Sequence, residues 1–424
     1  MNSGQQILTI NTGSSSLKMT VSECALFESA VNARPATSDI EPDETRILTG
    51  VVERIGGSGC RLRLKDARGA MLIERESDAQ DHGAALKEVL TGLASHNPSL
   101  KFQAIGHRVV HGGSQYRESQ RVTPELITGL EQLIPIAPNH MPQAIQAIRG
   151  AGQAFPDLTQ VICFDTAFHR NMPRTAQIYA LPRRFADAGV IRYGFHGLSY
   201  ESIVRQLRTL APQEATGRVI IAHLGNGASM AAVRDGIGID TTMGFTPTGG
   251  LIMGTRLGDI DPGVLVYLLV ERGMTPALLG DLVTRQSGLL GVSGSSSDMR
   301  DLTDRESVDP PAAEAVALFC YQARKHLGAL IAVLGGLDTL VFTGGIGERA
   351  ASIRRRICEG FEFLGIRLDP QRNDTHAPVI SASRGDNPPE GNSITVRVMQ
   401  TDEDLMIARH TRSLIGASAS PQHE

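Results

Sequence analysis

The chain has no tryptophan, and aromatic residues make up only 4% of it. Surfaces for base stacking are therefore scarce, and 41 Lys+Arg against 45 Asp+Glu leave a formal net charge of −4. A protein that tracks nucleic-acid backbones needs basic stripes and stacking faces, so no nucleic-acid partner is expected. Cysteine is sparse as well: Cys24, Cys60, Cys163, Cys320 and Cys358 are odd in number, scattered and never in CxxC spacing. They build neither a disulfide framework nor a zinc site, and reduced thiols of a cytoplasmic protein fit them. Nowhere do 18 apolar residues run together, and MNSGQQILTINTG lacks a basic start before a long apolar stretch. No membrane span and no export signal are expected. Lysine is confined to Lys18, Lys65, Lys87, Lys101 and Lys325. One of these, Lys18, sits in a Gly/Ser turn.

What the chain does contain is an alternation of short strands and helices. With 424 residues, 41% of them hydrophobic, it is long enough for two or three domains with cores of their own. Between residues 7 and 76 the runs ILTI, LKMTV, RILTGVVERI, CRLRL and AMLIER predict an antiparallel meander. The polar, proline-bearing stretch from Ser29 to Glu44 reads as a surface excursion within it. From residue 84 the period turns helical in AALKEVLTGLASH, PELITGLEQLI and PQAIQAIRGAGQAF, with buried strands at FQAIGHRVV and TQVICFD. Later segments continue in kind: helix YESIVRQLRTL, strands VIIAHL and SMAAV, helix GVLVYLLVERG, and a long helix ending at Leu334. Strand TLVFT, helix ERAASIRRRICEGF, strand ITVRVMQ and a helix in LMIARHTRSLI complete the pattern. The fold class is α/β.

Two hairpins echo each other. ILTINTGSSSLKMTV at 7–21 and VIIAHLGNGASMAAV at 219–233 share a plan of apolar strand, polar residue, glycine turn and second apolar strand. Glycine turns join hairpins in every class of protein, so either alone says little. The pair points to a duplicated core with one phosphate-facing turn from each half. In Asn11-Thr12-Gly13-Ser14-Ser15-Ser16-Leu17-Lys18, backbone N–H groups and hydroxyls leave room for a phosphate, with a cation beside it. His223-Leu224-Gly225-Asn226-Gly227-Ala228-Ser229 offers matching donors. No Walker A sequence occurs. TLVFTGGIGERAAS at 339–352 also carries a dinucleotide-type pattern, Gly345-x-Gly347-x-x-Ala350, which keeps an NAD-dependent oxidoreductase open as a rival. No second strand ending in an acidic residue follows it clearly.

Single residues add to this. A guanidinium in a glycine-flanked apolar setting must find an anion, and Arg108 in GHRVVHGG and Arg256 in MGTRLGD both qualify. Either could pair with a buried carboxylate instead. Asp165 follows the apolar run VICF, at a strand end where α/β proteins hold ligands. His196 stands in the short loop YGFHG, where a structural donor is more ordinary than a catalyst. His107 and His111 lack a third partner for zinc. No G-x-S-x-G elbow supports serine hydrolysis. Thr401-Asp-Glu-Asp404 opens the last helical pattern with acids that suit a helix start or Mg²⁺.

Taken in order, NTGSSSLK, GHRVVHGG, FDTAFH, YGFHGLS, HLGNGAS, DTTMGFTP, MGTRLGDIDPG, SDMRDL, FTGGIGE and TDEDLMIAR resemble the successive signatures of the acetate kinases, between residues 11 and 409. The resemblance implies two duplicated ribonuclease-H-like domains of the actin type with an interdomain active-site cleft. The internal repeat puts residues 1–165 plus 404–424 in a first lobe with a returning C-terminal helix, and 166–403 in a second lobe, which the resemblance makes nucleotide-binding. The resemblance further implies ATP, Mg²⁺ or alternatively Mn²⁺, a small carboxylate substrate and a homodimer.

Carried over by motif, Asn11 and Glu403 hold the metal, and Lys18, Ser14, Ser16 and the turn His223, Leu224, Gly225, Asn226 and Gly227 face the ATP phosphates. Asp298, Met299 and Arg300, with Gly345, Ile346, Gly347, Glu348 and Arg349, form the adenosine side. Arg108 binds the substrate carboxylate, Asp165 is the catalytic aspartate, and His196 and Arg256 stabilise the transition state. Val110, Phe195 and Pro247 supply an apolar pocket, with Asn139 where the family has leucine.

The chemistry of that set is coherent. A small carboxylic acid has a pKa of roughly 4–5, so at neutral pH it is already a nucleophilic anion and needs no general base. The difficulty is repulsion between two anions, which arginines, a histidine donor and Mg²⁺ relieve. The expected reaction is reversible, in-line transfer from ATP to acetate, giving acetyl phosphate and ADP. A propionate or other short-chain acyl kinase is the near alternative, and an actin- or chaperone-like ATPase switch a more distant one.

Overall fold

The computed structural model describes residues 5–13, 15–24, 44–382 and 394–416. Ser14, nearly all of the expected excursion at 29–44 and the tail from residue 417 lie outside them. The chain divides into two compact units, Met1–Ala167 with Asp402–Glu424, and Phe168–Thr401.

In the first unit, β1 (Gln5–Thr12), β2 (Ser16–Cys24), β3 (Glu44–Glu53), β4 (Arg61–Asp66) and β5 (Met71–Glu76) pair antiparallel in succession, as the alternating runs predict. β6 (Phe102–Val109) lies parallel to β1, β7 (Gln120–Arg121) is a short edge, and β8 (Thr159–Phe164) runs parallel to β6. The sheet order is β5-β4-β3-β2-β1-β6-β8-β7. The middle of β1, Ile7 to Ile10, is buried without a break, Thr9 included, because both of its faces are covered. Leu8 and Ile10 share a core with Ala85, Leu86 and Val89 of the helix His82–His96, while Ile7 packs with Ala408 of the helix Glu403–Gly416. Burying each such side chain contributes about 1.5–3 kcal/mol. The helix His82–His96 starts where Asp81 accepts the Ala84 N–H at 2.8 Å.

The C-terminal helix reaches this sheet at close range because Gly106 of β6 has no side chain. A Cβ there would collide with Thr411 Oγ1 and Ile407 Cγ2. The helix is also held by ion pairs, Arg409 to Glu44 at 2.6 Å and Arg412 to Glu44 at 3.1 Å, on a carboxylate that is fully buried. A buried charge of that kind persists only when it is paired.

In the second unit, β9 (Arg218–Leu224) and β10 (Ala228–Arg234) form the second hairpin, with β11 (Ile237–Thr241) antiparallel to β10. β12 (Thr339–Thr343) lies parallel to β9, and β13 (Thr395–Val398) parallel to β12. The order β11-β10-β9-β12-β13 repeats β3-β2-β1-β6-β8 of the first sheet, strand for strand and direction for direction. The chain is thus two duplicated ribonuclease-H-like domains, and the hairpin echo in the sequence is one part of that repeat. Tyr200, Ile203, Val204 and Leu207 of the helix Gly197–Leu210 pack on Val219, Ile221 and Ala231. The helix Pro310–Leu334 is bounded as its sequence dictates, by the Asp309 cap and Pro310 at its start and by Gly335 at φ 71° at its end. One expectation needs correction: the helix read in ERAASIRRRICEGF begins earlier, at Gly344, and is interrupted at Ala350.

Candidate active site

Parallel register builds the first cluster. Asn11 near the end of β1 pairs with Arg108 of β6, and Asp165 directly follows β8, which is the next strand over. Arg108 donates from Nε to Asp165 Oδ1 at 2.9 Å and from Nη2 to Oδ2 at 2.5 Å, and its Nη1 donates to Asn11 Oδ1 at 3.1 Å. Glu403, at the start of the C-terminal helix, lies 3.7 Å from Arg108 Nε and accepts from Asn11 Nδ2 at 3.3 Å. Burial works against the charge of Arg108, yet Asp165 and then Glu403 raise its pKa above the ordinary value. The guanidinium is therefore a permanent cation. Behind Glu403, burial raises the carboxyl of Asp404, against the opposing hydrogen bond from Thr20 at 2.8 Å.

The turn between β1 and β2 is tight: Gly13 N–H donates to the Ser16 carbonyl at 2.8 Å, and a Cβ on Gly13 would lie 2.6 Å from Ser16 Oγ. Lys18 pairs across the hairpin with Asn11 and is exposed. A residue that the sequence did not single out, His82, braces the turn through Nε2 on the Gly13 carbonyl at 2.9 Å.

The second unit gathers its own set. His196 adopts φ 59° at the N-cap of the helix Gly197–Leu210, and its ring stacks on His223 with centroids 4.3 Å apart. A serine hydroxyl meets Nδ1 of each imidazole at 2.8 Å: Ser229 for His196 and Ser199 for His223. Gly227 is where the functional groups converge. A Cβ on it would lie 2.8 Å from Arg256 Nη2 and 3.2 Å from His196 Nε2, so the missing side chain leaves a space that both groups face. Arg256 is oriented by donating from Nη1 to the Pro247 carbonyl at 2.6 Å. Its loop is tied to the Gly225–Gly227 turn by the Gly254 N–H on the Asn226 carbonyl at 3.1 Å.

The glycines after β12 belong to this neighbourhood. A Cβ on Gly344 would lie 2.7 Å from the Leu224 carbonyl, and Gly345 N is 4.0 Å from where a Cβ on Gly225 would sit. Glu348 accepts the Gly344 N–H at 3.0 Å and caps the helix Gly344–Arg349 that includes Ile346 and Gly347. Sequence reasoning passed over Arg354, a fully buried guanidinium that donates to the Gly347 carbonyl at 2.9 Å and the Glu348 carbonyl at 3.0 Å. Asp298 caps the helix Met299–Arg305 by accepting the Arg300 N–H at 2.8 Å, with Met299 buried and Arg300 exposed, as is Arg349.

The four residues expected to supply an apolar pocket fall two in each unit. Val110 and Asn139 belong to the first, where Ala137 and Met141, on either side of Asn139, share a core with Val109. Phe195 and Pro247 belong to the second and are buried. For a cation, Glu403 and the Asn11 amide supply hard oxygen donors of the kind Mg²⁺ takes alongside phosphate and water.

The model of the acetokinase family matches residues 6–409. The chain is 45% identical over 418 residues to the acetate kinase of Methylocella silvestris, covering 98% of this chain and 99% of that one. Among solved structures it resembles the acetate kinase of Porphyromonas gingivalis, with a TM-score of 0.81, 35% identity and coverage of 97% and 100%. It also resembles a propionate kinase from Francisella tularensis, with a TM-score of 0.85, 34% identity and coverage of 96% and 99%.

Proposed function

The chain belongs to the acetokinase family, and we infer from that premise that it is an acetate kinase, transferring the terminal phosphoryl group of ATP reversibly to acetate. The geometry that carries the residue assignment is the convergence of Arg256 Nη2 and His196 Nε2 on the space left by Gly227. Two donors facing a glycine turn suit the oxygens of a phosphoryl group in transfer.

The acid is bound by Arg108. Of its five N–H groups, the bonds to Asp165 and Asn11 occupy three, and the remaining Nη hydrogens receive the carboxylate. Asp165 acts by holding that guanidinium in place; the substrate anion has no proton for it to remove. Lys18, Ser16 and the Gly225–Gly227 turn bind the phosphates, and the Gly344–Glu348 and Asp298–Arg300 segments receive the adenosine. Mg²⁺ would be held by Glu403 and Asn11, and when bound it neutralises phosphate charge. Val110, Asn139, Phe195 and Pro247 contact the methyl end of the acid. The oxidoreductase reading of GGIGERA gives way, because one family accounts for nearly the whole chain. We place the enzyme in the cytoplasm, in keeping with five free, buried cysteines. A homodimer contact on the helix Pro262–Val270 is supported by the exposure of Val266 (58%) and Val270 (69%).

A second reading, a propionate kinase, draws on the Francisella tularensis likeness and on the polar Asn139. A hydroxylamine trap for acyl phosphate, run with ATP, Mg²⁺ and a series of short acids, decides between them. Hydroxamate formed best with acetate supports the first reading and best with propionate the second; none with any acid overturns both.

A further inference from the structure

We propose that Tyr200 and Ser229 are positioning residues that fix His196 with its proton on Nε2, so that the ring presents a hydrogen toward Gly227. The inference rests on the kinase reading above for its functional consequence, though not for the hydrogen-bond arrangement itself. Ser229 Oγ lies 2.8 Å from His196 Nδ1 and is also hydrogen-bonded to the Tyr200 hydroxyl. Ser229 and Tyr200 are both fully buried. A serine hydroxyl carries one proton, so with two partners it donates to one and accepts from the other.

The direction of that relay decides what His196 can do. A phenol is the stronger acid of the two hydroxyls and takes the donor end, so Tyr200 donates to Ser229 and Ser229 donates to Nδ1. A nitrogen that accepts a hydrogen bond carries no proton, which leaves the proton of the neutral ring on Nε2. Nε2 is the atom beside the Gly227 space that Arg256 Nη2 also faces. Phosphoryl oxygens are acceptors only, so the opposite tautomer would turn a lone pair toward them. No proton is transferred in this scheme; the relay only orients a donor.

Local structure explains how the relay is held. Tyr200 lies one helical turn after His196, and its N–H donates to the His196 carbonyl at 3.1 Å. Its ring is packed by His169, with centroids 5.5 Å apart, and by Phe168 at 5.8 Å. Ser229 is the cross-strand partner of His223, on which His196 stacks. The phenol is packed by Phe168 and His169, the hydroxyl is placed by β10, and the imidazole is stacked on His223 of β9.

The test is nitrogen-15 NMR of the full chain labelled at histidine, with the His196 signals identified by their loss in His196→Gln. In the unaltered protein Nδ1 is expected to have the shift of an unprotonated acceptor and Nε2 that of a protonated nitrogen. Tyr200→Phe is expected to mix the tautomers and lower kcat about tenfold, leaving KM for ATP and for the acid within about twofold, because the bond matters mainly in the transition state. Ser229→Ala should behave likewise and Ser229→Thr, which keeps a hydroxyl, should restore most of the activity; this pair decides the matter if Tyr200→Phe does not fold. A protonated Nδ1 in the unaltered protein overturns the proposal, as do variants that keep both the spectrum and kcat. Absence of acyl phosphate from the unaltered protein would overturn the kinase reading instead, and the tautomer would still be read.

Discussion

Arg108 grips Asp165 through two parallel hydrogen bonds, at 2.9 and 2.5 Å, and the carboxylate it grips is 1% exposed. A carboxylate whose two oxygens both accept from one guanidinium is already committed as an acceptor. In the function proposed above, it serves to aim the arginine. Asp165→Asn keeps the shape but loses the second acceptor oxygen and the charge. We expect kcat/KM for acetate to fall by about 10²–10⁴, the range seen when a charge-positioning group is lost, with the larger part in KM for the acid. Steady-state kinetics with acetate varied at saturating ATP checks this.

Gly227→Ala tests the space that Arg256 and His196 face. The added Cβ would stand 2.8 Å from Arg256 Nη2 and 3.2 Å from His196 Nε2. Turnover should fall at least tenfold, by about 1.4 kcal/mol or more in barrier, while the thermal midpoint stays within a few degrees. Acyl-phosphate assay and calorimetry on the same preparation separate the two effects.

Arg256→Lys should fail to rescue Arg256→Ala. Lysine keeps the charge but cannot donate to the Pro247 carbonyl from one nitrogen and face Gly227 from another. Both variants are expected to lose about 10²–10⁴ in kcat. Single-turnover measurement at saturating ATP and acetate reads the chemical step directly.

Gly106→Ala addresses packing away from the chemistry. Its methyl would strike Thr411 and Ile407 of the C-terminal helix, so overpacking should cost about 1–3 kcal/mol. Because that helix begins at Glu403, loss of activity should accompany the lowered urea midpoint.

Acid should destabilise the fold through two buried histidines. Burial lowers the pKa of His107 and of His169 from 6.5 to about 4. Between those values the unfolded chain binds more protons than the folded one, so stability is full above about pH 6.5 and declines as pH falls toward 4, by roughly 3 kcal/mol per ring at most. The Gln160 amide lies 2.7 Å from His107 Nε2, placed to donate to a neutral ring. His107→Gln should lessen the drop in urea midpoint between pH 7 and pH 5.

Much of this was legible in the sequence. The meander showed in alternating runs, and the duplication in two hairpins of like plan, because a strand's period and a turn's need for glycine are local properties. The pairing of Arg108 with Asp165 was not local: the residues are 57 apart and meet only through the register of parallel strands. The helix at Gly344 escaped notice because glycine is a poor helix former, and the cap that compensates, Glu348, comes four residues later. Ser229 closes the HLGNGAS run and Tyr200 directly follows YGFHGLS, but neither motif tells that the two meet; a serine in a strand and a tyrosine in a helix become informative only when their hydroxyls are seen together.

The central claim is that the carboxylate held by Arg108 attacks the terminal phosphorus of ATP directly. ATP made chiral at its terminal phosphorus with oxygen isotopes, turned over with acetate, reads this in the configuration of the acetyl phosphate formed. A single in-line displacement predicts inversion at phosphorus. Retention would mean that a group of the protein carries the phosphoryl first, and would contradict the account.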